Sequence, residues 1–102
     1  MTGSSFTTQA LVATDRPSRY LVQLCKHFGH KIQTVWTEHE GELYFDFGTA
    51  VLRTRPDGLH ITCTTGDAEA LDRLADVVER HLVRFGAKDE LVVAWSSTGQ
   101  AA

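Results

Sequence analysis

The chain has 102 residues, 42% apolar and 23% charged, with ten Lys and Arg against thirteen Asp and Glu for a formal net charge of −3. That is one average globular domain, able to bury roughly 60–70% of the surface its unfolded chain exposes. It is too short for a (β/α)8 barrel, which needs about 250 residues, lacks the basic balance of a nucleic-acid binder, and has no apolar run near the ~18 residues of a membrane span.

In chain order, residues 6–13 (FTTQALVA) read as a first strand. The first thirteen residues are rich in Thr and Ser and lack the apolar region of a secretory leader. With only Cys25 and Cys63, too few for a disulfide framework, the expected location is cytoplasmic with reduced thiols. Asp15-Arg16-Pro17 reads as a helix start, Asp15 near the N-cap and Pro17 suited to the first turn. Tyr20, Leu21, Leu24, Cys25 and Phe28 fall on one helical stripe, and Gly29 is the stop.

Residues 32–38 are rich in β formers and run into a turn at 39–42. Leu43, Phe45 and Phe47 then alternate with Glu42, Tyr44 and Asp46 in a half-buried strand. Gly48 marks a bulge or bend before 49–55 continues extended. Arg55-Pro56-Asp57-Gly58 is a hairpin loop, and Leu59, Ile61 and Cys63 alternate with His60, Thr62 and Thr64 on the return strand.

Asp67 is the N-cap of a second helix whose buried stripe is Leu71, Leu74, Ala75, Val78, Leu82 and Phe85. Glu69–Arg73 and Asp76–Arg80 are i,i+4 pairs on its solvated side, worth ~0.2–0.5 kcal/mol each. Gly86 closes it, residues 91–95 (LVVAW) form a last strand, and the small, polar tail 96–102 is expected to fray, leaving an ordered core of about 6–95 in a single domain.

The order β-α-β-β-β-α-β predicts an α+β two-layer sandwich, a mostly antiparallel sheet with two helices on one face. The other face then presents Tyr44, Val51, Val92 and Ala94, joined by Trp36. That is more apolar than a solvated face needs, which predicts a homodimer packed through it.

Residues 16–31 contain Arg16, Arg19, Lys26 and Lys31 and no acid, so this segment carries +4 and the remainder −7. Two chemistries fit it. His27 and His30, three apart, share a face if the helix reaches His30, and an imidazole pair suits zinc or copper. The third ligand would come from His39, His60, Cys63 or His81, because Cys25 lies in the apolar stripe and reads as a core thiol. Alternatively, Arg19, Gln23, Lys26 and His30, at i, i+4, i+7 and i+11, form a polar stripe for the carboxylate or phosphate of a small ligand, or for an acidic protein partner.

His81 flanks the second stripe and reads as a half-buried histidine tied to a backbone carbonyl, while His60 faces the open side and Trp95 and Phe45 read as core. No G-x-S-x-G, C-x-x-C or glycine-rich phosphate loop occurs, and Asp46 and Asp57 stand apart. No catalytic residue and no nucleotide cofactor is therefore assigned.

At Ser18-Arg19-Tyr20-Leu21, Leu24-Cys25-Lys26-His27-Phe28 and His30-Lys31, then Gly41, FDFG at 45–48, Gly58-Leu59, Asp67-Ala68, His81-Leu82, Arg84-Phe85, Glu90-Leu91 and Trp95, the chain resembles a small bacterial family, domain of unknown function 2218. The resemblance spans roughly residues 8 to 95. It implies no established activity. Similar chains occur near, and sometimes attached to, siderophore-interacting flavin reductases, which implies iron handling. Some carry an aldolase label for a hydroxylated heptenedioate, which is not transferred, since 102 residues cannot build the usual barrel for that chemistry.

The expected function is that of a cytoplasmic, non-catalytic binding or accessory module presenting Arg19, Lys26, His27 and His30 to an anionic or metal-bearing ligand, such as a ferric siderophore or a haem propionate. The alternatives are a small metal-dependent enzyme using His27 and His30, and a structural dimer that binds another protein. Neither nucleic acid nor membrane is expected as a partner.

Overall fold

The computed structural model describes residues 5–101. Strand β1 (Ser5–Ala13) leads into helix α1 (Pro17–Phe28), followed by a meander of β2 (Gln33–Trp36), β3 (Glu40–Phe45), β4 (Gly48–Arg55) and β5 (Gly58–Thr65). Helix α2 (Ala68–Phe85) and a single 3-10 turn (Ala87–Asp89) precede β6 (Val93–Ala101). All pairings are antiparallel, and the six-stranded order is β2-β3-β4-β5-β1-β6.

Alternation sets the two faces. Ala10, Val12, Leu43, Ala50, Leu52, Leu59, Ile61, Cys63 and Val93 are buried on the side covered by the helices. Tyr20, Leu21, Leu24, Cys25 and Phe28 of α1 and Leu71, Leu74, Val78 and Leu82 of α2 complete that core. The result is the α+β two-layer sandwich that the element order predicts.

Local chemistry fixes the helix ends. Asp67 caps α2, its Oδ1 accepting from the Ala70 N–H at 2.7 Å. In α1 the N-cap is Arg16, with no side-chain cap and Pro17 in the first turn. Asp15 therefore does not cap as expected: it stands one residue too early and pairs with Arg16 at 3.7 Å. Gly29 keeps helical dihedrals (φ −61°, ψ −15°), and Lys31 and Ile32 both donate to the Phe28 carbonyl at 2.9 Å, which ends the helix.

Two glycines are required by their positions. Gly58 has φ +145°, and a Cβ there would collide with the Val12 carbonyl. At Gly41 a Cβ would sit 2.7 Å from Cys25 Sγ, so the bare backbone of β3 is what lets α1 approach the sheet.

Four details depart from the sequence reading. The bend expected at Gly48 is a hairpin: Phe45 pairs with Gly48 across Asp46-Phe47, which splits one long strand into β3 and β4. The tail expected to fray extends β6 instead, with Ser96 opposite Gln9 and Ala101 opposite Ser5, because β1 offers a free backbone ladder that pairs whatever the side chains. Ala102 lies outside the described residues. Trp36 stands opposite Gly41 and so belongs to the helix side of the sheet. Arg73 does not pair with Glu69 but lays its guanidinium over Phe47, 4.4 Å from the ring centroid. Asp76–Arg80 forms as expected at 2.8 Å. No helix among the described residues is long and apolar enough to cross a membrane.

Candidate functional site at the helix seam

The two helices lie side by side and antiparallel. The Tyr20 hydroxyl, near the start of α1, donates to the Asp89 carboxylate beyond the end of α2, whereas Phe28 at the end of α1 meets His81 with ring centroids 4.8 Å apart. Between these points His27 projects from α1 into the seam. Its ring lies 4.9 Å from His81, 5.1 Å from Phe28 and 5.4 Å from Phe85.

His81 is tied as the sequence reading expects. Its Nδ1 lies 2.7 Å from the Val77 carbonyl, which can only accept, so Nδ1 carries the proton and Nε2 is left as the free nitrogen. The charged groups that act on His27 are basic. Burial, and after it the proximity of His81, Lys31, His30 and Arg84, hold the His27 pKa below the ordinary 6.5. His27 is thus a neutral ring at neutral pH inside a cationic rim.

Arg80, His81 and Arg84 line a shallow depression of about 250 Å³ beside it. Arg80 is engaged by Asp76, but Lys31 and Arg84 have no ion pair among the described residues.

The predicted stripe runs along the shoulder of this seam. At 3.6 residues per turn, Gln23 falls beside His27 on the flank of α1 turned to α2, Arg19 lies further round, and Lys26 furthest. Arg19, Lys26 and His30 are exposed and Gln23 is half-buried. Because α1 ends at Phe28, His30 stands in the turn, and the imidazole set against His27, tilted at 46°, is that of His81, 54 residues away in sequence by the numbering.

The other residues considered as third metal ligands are dispersed. His39 meets the Thr54 hydroxyl at 3.3 Å and His60 meets Asp57 at 3.2 Å, while Cys63 is fully buried. No group of three or more His, Cys, Asp and Glu stands close enough to hold a metal among the described residues. Burial pushes the Cys25 thiol up to about 11 and the Cys63 thiol up to about 12, so both are inert core groups.

Of the contribution of α2 to this site, the sequence offered His81 only as one of four possible third ligands, and Arg84 went unforeseen. Nothing local in ERHLVRFG signals that His81 and Arg84 will face His27; only the antiparallel packing of the helices does so.

On the opposite face of the sheet, Tyr44, Val51 and Ala94 occupy outward register positions as expected, with Val35 and Val92 also exposed. They do not form one patch. Val35 and Tyr44 stand on β2 and β3, Ala94 and Val92 on or beside β6, and between them run Arg53, His60, Thr62 and Gln9.

A six-stranded antiparallel sheet backed on one side by two helices, whose seam gathers histidines and basic residues, defines a small two-layer α+β domain. The chain belongs to the family described as an uncharacterised protein conserved in bacteria, domain of unknown function 2218, whose model matches residues 9–96. Among solved structures it is similar to PA4090 from Pseudomonas aeruginosa, determined by NMR, with a TM-score of 0.75 and 31% identity over 89% of this chain and 95% of that one. No curated protein matches the sequence.

Proposed function

We propose that this protein is a binding module that takes a small carboxylate- or phosphate-bearing ligand against the α1–α2 seam. One observation carries the reading: His81 stands 4.9 Å from His27, Arg84 lines the adjoining depression, and neither Arg84 nor Lys31 has an ion pair among the described residues. Such a rim repels a bare cation and concentrates an anion. A ferric siderophore would enter the same site through its own anionic groups, so the charge favours an anionic ligand over a free metal ion.

Within that reading the residues divide their work. Arg84 offers a planar two-pronged donor and Lys31 a mobile point charge. Arg19, Gln23 and His30 extend the donor surface along α1. His27, neutral in the free protein, gains a proton as an anion approaches, so binding strengthens as pH falls from 8 towards 6.

Calorimetry with citrate and with inorganic phosphate at both pH values tests this. The expected result is saturable binding that tightens at the lower pH and weakens by about tenfold or more in Lys31→Gln/Arg84→Gln. Affinity unchanged in that variant overturns the seam as the site. Near-stoichiometric metal retained through desalting and lost from His27→Ala/His30→Ala would replace the anion reading with a metal one.

A further inference from the structure

The open face of the sheet holds a second constellation, separated from the seam by the whole thickness of the domain. Strand register places Arg53 opposite His60, His60 opposite Leu11 and Leu11 opposite Ala94, one continuous row across β4, β5, β1 and β6. The adjacent outward row brings in Val51, Thr62 and Gln9. Arg55, two residues beyond Arg53 on β4, points to the same side.

Between these rows lies a depression of about 360 Å³ lined by Gln9, Val51, Arg53, Arg55, His60 and Thr62, with no carboxylate in its wall. That is within the range of small-molecule sites, roughly 300–1,000 Å³. Neither guanidinium has an ion pair or a side-chain hydrogen bond among the described residues. His60 Nε2 meets the Asp57 carboxylate at 3.2 Å, which orients its ring. Two unpaired guanidiniums, an oriented imidazole, an amide and a hydroxyl therefore converge on one hollow.

The hollow continues towards β6. A smaller depression of about 140 Å³ shares Gln9 and His60 with it and runs over Leu11 and Ala94. The combined trough is cationic and hydrogen-bonding at the β4–β5 end and apolar at the β1–β6 end. We propose that it is a binding site for an amphiphilic small molecule, with a phosphate or carboxylate head on Arg53, Arg55 and His60 and a short apolar tail over Leu11 and Ala94. Five donor side chains around one open hollow match an oxyanion that accepts on several edges, and a guanidinium gives such a group two parallel bonds. A ring or short alkyl group attached to the head covers the Leu11–Ala94 end, which inorganic phosphate leaves open.

The test is an amide-shift NMR titration of the whole chain with phenyl phosphate, inorganic phosphate and phenol. Phenyl phosphate is expected to move the amides of Gln9, Arg53, His60, Leu11 and Ala94 in one saturable step. Inorganic phosphate is expected to move the first three alone and more weakly, and phenol none. Arg53→Gln/Arg55→Gln, at exposed positions, is expected to weaken phenyl phosphate by about tenfold or more, whereas Lys31→Gln/Arg84→Gln leaves this site unchanged and so separates it from the seam. Shifts confined to α1 and α2, or equal affinity of the Arg53→Gln/Arg55→Gln variant, overturn the proposal. So does concentration-dependent broadening of the same amides without ligand, together with a dimeric mass, which would make this face a contact between copies of the chain.

Discussion

Gly41→Ala is the sharpest probe of how α1 is seated. The new methyl would lie 2.7 Å from Cys25 Sγ and 3.4 Å from Leu21 Cδ2. Both partners are fully buried, so neither can swing into solvent. Overpacking of this kind costs ~1–3 kcal/mol, while the lost backbone freedom of the unfolded chain returns ~0.4–1 kcal/mol. The net destabilisation is therefore between about 0 and 2.6 kcal/mol, centred on ~1.3 kcal/mol. Cys25→Ala removes one fully buried heavy atom and costs ~1 kcal/mol through the small cavity it leaves. In the double variant the alanine methyl at 41 occupies the volume the sulfur vacates, so the two losses do not add. The double variant is expected to be more stable than the sum of the singles by ~1 kcal/mol. Urea unfolding followed by tryptophan fluorescence measures this directly, with an unchanged m-value confirming that the unfolded state is the same. Additivity to within ~0.5 kcal/mol would refute a direct Gly41–Cys25 contact as the reason for the glycine.

Three more outcomes follow from single contacts. His27 titrates below 6.5 when folded and near 6.5 when unfolded, so on acidification the unfolded chain takes the proton first. Stability is then full above pH 6.5, falls as pH drops from there towards the lowered value, and is flat below it; His27→Gln should flatten that slope in denaturation curves taken across the window. Asp67→Ala should cost ~1 kcal/mol by freeing the Ala70 N–H, with Asp67→Ser recovering most of it, and equal midpoints for wild type and Asp67→Ala would show the cap to be idle. Trp95 Nε1 donates to the Glu79 carboxylate at 2.7 Å and so ties β6 to α2; Glu79→Leu should lose ~1 kcal/mol and alter Trp95 emission, and neither change would be seen if solvent supplied the indole's partner.

How far the sequence could be read varies with the range of the interaction. The α1 stripe, the Asp67 cap, the Pro56-Asp57 loop and the His81 link to a carbonyl were all legible, because each is decided within about one helical turn or one hairpin. The Phe45–Gly48 hairpin was not, since Asp46 and Phe47 both keep negative φ and the pair lacks the Asn-Gly or Asp-Gly signature. Half of the seam was visible as the basic stretch 16–31. The half from α2 was hidden, because which flank of His81 and Arg84 meets α1 depends on how two helices sit on a sheet. The trough on the open face was invisible for a related reason: Arg53, His60, Leu11 and Ala94 become neighbours only through the register of three strand pairings. The basic end of the trough lies within the β4–β5 hairpin, and only the register of β1 and β6 sets an apolar end beside it.

The place of β1 between β5 and β6 governs the order in which the chain can acquire its structure. Val12 pairs with Leu59 on one side and with Val93 on the other, so the first strand of the sheet needs partners about 45 and 80 residues further along the sequence. The β2–β5 meander can zip up through three short hairpins as soon as it emerges. β1 must wait, and its ladder towards β6 closes last. Non-local pairing of this kind places folding in the millisecond-to-second range typical of β-rich topologies. During that interval a stretch dense in Thr, Val and Leu stands with open edges, which makes 6–13 the segment where misassembly between nascent chains would begin.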